Sequence, residues 1–109
     1  MTDRELLELA AKAAGVKGKW VDYGWGCGIV EQEIGDTDYP WNPLINSGQA
    51  LRLAVKLCLW VDIDRPTKST RVLIDSDASK GASEEHDDDP YAATRLAIVR
   101  AAAEIGRGM

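Results

Sequence analysis

The single histidine, His86, stands in the run Glu84-Glu85-His86-Asp87-Asp88-Asp89, and an imidazole among carboxylates could ligate a hard cation or take part in proton transfer. Acidic loops bind ions opportunistically, and no activated nucleophile is recognisable beside the ring, so neither a metal centre nor a hydrolytic triad is expected. Asp62 and Asp64 share one face of a predicted strand. Acid and base catalysis by paired carboxylates needs a pocket that separates their pKa values, and nothing nearby builds one.

The glycines of Gly24-Trp25-Gly26-Cys27-Gly28 suggest a phosphate-binding loop. That chemistry requires a strand before them and a helix after them, whose amino-terminal amides face the phosphate. No helical pattern follows Gly28, so the stretch reads as a tight or bulged hairpin tip. Cys27 and Cys58 fall on different elements without ligand spacing and are expected as free thiols. These residues point away from an enzyme and call for no cofactor.

Two other sets of residues point to binding. The chain holds four tryptophans, and Trp25, Trp41 and Trp60 with Tyr39 could form an aromatic surface of the kind that anchors protein interfaces. The competing reading is that most of them fill the core. Arg95 projects from the middle of an apolar helical arc, where an unpaired charge would be expensive. Either its head reaches solvent or a carboxylate such as Asp62 or Asp75, or it recognises an anion together with Asn42.

The elements that would position these groups follow from hydrophobic period. Thr2-Asp3-Arg4-Glu5 is a capping box that starts a first helix, and Gly15 is placed to end it. Trp20-Val21-Asp22-Tyr23 and Ile29 to Ile34 read as two strands around the glycines. Asp36 to Pro43 is a connector, because Pro40 and Pro43 hold the residues before them extended.

Asn46 or Ser47 caps a second helix in which Ala50, Leu53, Ala54, Leu57 and Cys58 recur at helical spacing. The period then changes to two: Leu59, Val61 and Ile63 take the covered face of a strand and Trp60, Asp62 and Asp64 the other. Arg65 to Thr70 reads as a hairpin loop and Arg71 to Asp75 as the returning strand. Residues 76–88 have almost nothing to bury and are expected to be a flexible acidic linker or loop. Asp89 as cap and Pro90 at the first helical position open a final helix to Gly106.

The expected class is α+β, in the order αββαββα, with about three helices on a mainly antiparallel sheet of three to four strands. With 109 residues, 45% hydrophobic and 28% charged, the chain has the composition of one soluble domain, residues 1–109. A net charge of −5 disfavours nucleic acid, no apolar run approaches bilayer length, and the charged amino terminus is not a signal peptide. The expected location is therefore the cytoplasm.

Three segments, Met1 to Gly15, Trp41-Asn42-Pro43-Leu44 with Ala50 to Leu57, and Asp89-Pro90-Tyr91-Ala92-Ala93-Thr94-Arg95 with Ala97 to Ala103, resemble the phage ABA sandwich domain family. Its members are small proteins of tailed bacteriophages and prophages, mostly without assigned function. The resemblance implies helices on both faces of a central sheet, a three-layer α/β/α sandwich, and hands over no catalytic residues.

It is silent between Gly15 and Trp41 and between Asp64 and Asp89. Together with the residues it gives an expectation of a non-enzymatic accessory protein of a phage or prophage. Such a protein would bind a host or phage protein in the host cytoplasm, and an uncovered sheet edge leaves a homodimer open. The alternatives are a small-ligand or nucleotide sink at Asn42 and Arg95, and an acidic decoy of a nucleic-acid enzyme using Glu84 to Asp89.

Overall fold

The structure, a computed structural model, describes residues 1–30, 40–74 and 77–109. Helix α1 covers Asp3–Ala14; the Thr2 hydroxyl accepts from the Glu5 amide at its start, and Gly15 ends it at φ 74°, with Val16 N donating to Ala11 O. Strands β1, Lys19–Asp22, and β2, Cys27–Val30, form the expected antiparallel hairpin. Helix α2, Ser47–Lys56, is capped by Asn46, whose Oδ1 accepts from the Gln49 amide.

Strand β3, Leu59–Asp64, turns through residues 65–68 into β4, Ser69–Ile74. Strand β5 runs Asp77–Glu85, and helix α3, Pro90–Arg107, opens with Asp89 accepting from the Tyr91 and Ala92 amides.

The protein is thus α+β, with three helices and two antiparallel sheets, β1-β2 and β3-β4-β5. β5 corrects the expected linker at 76–88. Its sequence, DASKGASEE, carries no large apolar side chain, and it is held by backbone pairing to β4, Ala82 opposite Val72 and Glu84 opposite Thr70. Gly81 permits this pairing: its φ is 147°, and a Cβ there would overlap the Val72 carbonyl oxygen. The register breaks between Leu73 and Ile74. The order is therefore αββαβββα.

Helix α3 is the centre of the molecule. It lies on β4 and β5, and α1 and α2 pack against its other sides. Ala97, Ile98, Val99, Ala101, Ala102 and Ala103 are all buried, which surrounds the helix with neighbours on almost every face. Small residues let α1 approach closely: Gly106 lies where a Cβ would overlap the Leu9 carbonyl. Leu6, Leu7, Leu53, Ile29 and Val72 complete the core. The face of β3-β4-β5 turned away from α3 is open and carries exposed Trp60, with Arg71 paired to Asp62 at 3.2 Å.

Candidate functional site

The tip of the β1-β2 hairpin is built from Asp22 to Cys27. The Asp22 carboxylate accepts from the Gly24 amide at 2.9 Å, Tyr23 N donates to Gly26 O at 2.9 Å, and Gly24 takes φ 88°. The turn places Tyr23 and Trp25 side by side. Their rings stack with centroids 5.4 Å apart and planes 21° from parallel, and Trp25 stays 65% exposed. Tyr23 belongs to this pair although its place at the end of a strand pattern gives no sign of it. The glycines run directly into β2, so this tip is not the helix amino terminus that a phosphate loop uses.

The other proposed aromatics separate. Trp60 is 65% exposed on β3, in the other sheet. Trp41 is half-buried: it exchanges backbone hydrogen bonds of 3.0 and 2.7 Å with Ile29 and, like Trp20, packs against the core. Tyr39 lies outside the described residues. The three described members, Trp25, Trp41 and Trp60, do not make one aromatic surface as expected: Trp41, like Trp20, packs against the core, while Trp25 and Trp60 face water on separate sheets.

Asn42 and Arg95 do meet, but around the chain's own backbone. Asn42 is 4% exposed; its Nδ2 donates to Cys27 O at 2.9 Å, its Oδ1 accepts from Leu44 N at 3.0 Å, and its own amide donates to Gln49 Oε1 at 2.7 Å. Arg95 Nε donates to Leu44 O at 2.9 Å and Nη1 to Ser47 Oγ at 3.0 Å. The two side chains therefore both hold the turn ahead of α2 through the backbone of Leu44. These bonds give both side chains a structural role, and the guanidinium uses carbonyl and hydroxyl oxygens rather than Asp62, which pairs with Arg71. Asp75 lies outside the described residues.

The acidic run is similarly committed to the fold. Glu84 points at α3 and accepts from Arg100 Nη1, and Asp89 caps α3. His86 Nε2 lies 2.8 Å from the buried Thr70 hydroxyl, itself 2.9 Å from Thr94 Oγ1. Glu85, Asp87 and Asp88, three of the run's five carboxylates, are exposed and take no part in these bonds. Cys27 and Cys58 are free. Among the described residues no group of three His, Cys, Asp or Glu is placed to hold a metal ion, and no helix is long and apolar enough to cross a membrane.

Sequence reasoning missed a second exposed region. On β3 the face assigned to the core is only partly covered: Leu59 is half-buried, but Val61 is 38% and Ile63 61% exposed. Leu51 and Val55, one turn apart on α2, are 64% and 70% exposed. α3 sits over β4 and β5 and leaves β3 at the margin, and no pattern within β3 could have told that.

No family model matches the chain, and no curated protein or solved structure is significantly similar to it.

Proposed function

We propose that the protein is a non-enzymatic binding module that grips another protein through the aromatic tip of its β1-β2 hairpin. The observation that carries this is the solvent-facing Tyr23-Trp25 stack on a turn tied by two hydrogen bonds. Stacking orders both rings before any partner arrives, so little side-chain entropy is lost on docking, and tryptophan and tyrosine are the residues that most often dominate interface energy. A net charge of −5 favours a protein over a nucleic acid, because base-stacking platforms work within a basic groove. The likeness of α1, α2 and α3 to the ABA sandwich family supports a phage or prophage accessory role in the host cytoplasm, with a host or phage protein as partner.

The test is affinity purification of the wild type and of Trp25→Ala from bacterial host cells, with the recovered partner then titrated against both. Loss of an anchor worth ~2 kcal/mol weakens binding ~30-fold. A partner held equally by both, or none in stoichiometric amount, would overturn the reading; circular dichroism of Trp25→Ala checks that the fold persists.

A further inference from the structure

We propose that the chain also pairs with a second copy of itself, β3 against β3 about a two-fold axis, so that two three-stranded sheets join into one of six. This surface is separate from the hairpin tip and does not depend on it. β3 ends its sheet, since the order among the described residues is β3-β4-β5. Edges are ordinarily protected by proline, charged side chains, a bulge or short length. β3 is six residues long, reads Leu59-Trp60-Val61-Asp62-Ile63-Asp64, has no proline or lysine and pairs with β4 without a register break; its two charges, Asp62 and Asp64, share the face turned from α3, where Asp62 is paired to Arg71, so the helix side of the edge is apolar throughout. The opposite edge, β5, has both Lys80 and the break between Leu73 and Ile74 on its β4 side.

Symmetry and charge then select the register. An axis normal to the sheet keeps every residue on its own face, so residues opposite each other across the seam differ by an even number and the axis passes through one residue. Centred on Asp62, two carboxylates would face each other. Centred on Val61, Val61 meets Val61 of the second copy, Leu59 meets Ile63, and Trp60 covers Asp62, whose charge is already balanced by Arg71. Centred on Trp60, Leu59 would meet Val61 but Ile63 would reach past the strand to Leu57, so the Val61 register is the one that gives Leu59, Val61 and Ile63 all apolar partners within β3 and opposes no like charges.

The area is that of a small interface. At their exposures, Trp60, Val61 and Ile63 carry on the order of 300 Å² per copy. With the strand backbone added, two copies fall in the class below ~1,200 Å² total that belongs to weaker, concentration-dependent associations.

Sedimentation equilibrium of the wild type is expected to give a dimer, and Ile63→Lys a monomer with unchanged circular dichroism. Register is read by oxidative cross-linking in a Cys27→Ser, Cys58→Ser background. Val61→Cys sets two thiols across the axis within disulfide reach and gives a covalent dimer, whereas Asp62→Cys faces Trp60 and gives none. A wild type monomeric up to its solubility limit, an Ile63→Lys variant that still dimerises, or cross-linking through position 62 instead of 61 would each overturn the proposal.

Discussion

The α1-α3 contact and the β3 edge are made of opposite materials. In the first, Ala10, Ala11 and Ala14 of α1, with Ala102 and Ala103 on the Gly106 side of α3, are almost fully buried although each offers one methyl group; in the second, Trp60 and Ile63 keep more than three-fifths of their surface in water. The difference teaches that backbone distance, more than side-chain size, decides what this core contains. Two helices that touch along alanines and Gly106 gain dense packing without bulk. Larger apolar side chains such as Leu6 and Leu7 fill the rest of the core, and Trp60 and Ile63 stand outside it at the margin of the sheet.

Three substitutions sharpen that contrast, each read by urea denaturation. Leu7→Ala, at a position with no exposed surface in the contact between helices, should cost the most, about 2–5 kcal/mol, because neighbours that already touch cannot close over the cavity. Gly106→Ala adds one methyl where the Leu9 carbonyl already sits and forces α1 away from α3; a loss of about 1–3 kcal/mol is expected. An unchanged midpoint would mean that the helices can separate freely. Trp60→Ser, despite removing the largest of these side chains, should alter the stability of the separated chain by no more than about 0.5 kcal/mol, measured at concentrations below any association. A larger loss would place Trp60 in the core economy rather than at a docking margin.

The parts of this fold written in local chemistry could be read from the chain. Thr2, Asn46 and the Asp89-Pro90 pair cap the three helices as their types require, and the change of period after Cys58 marks β3. What escaped was set by distant neighbours. Nothing in Asp77 to Glu85 announces a strand, because its order comes from the β4 backbone and from the room Gly81 leaves. Asn42 and Arg95 looked like ligand groups because a sequence does not distinguish a polar side chain waiting for a ligand from one waiting for its own Leu44 peptide. Trp25 was legible as an aromatic at a turn, but its stacking on Tyr23 depends on the exact geometry of that turn.

The Thr94-Thr70-His86 chain has an unusual property. Thr70 holds one hydroxyl proton between two neighbours. With a bare Nε2 on His86, Thr70 donates toward the ring and Thr94 donates to Thr70. With a proton on that nitrogen, the ring donates to Thr70, which turns its own proton toward Thr94. Every link survives either way and only the direction of donation reverses, so the join between β4 and the first turns of α3 is a relay that tolerates both forms of the imidazole.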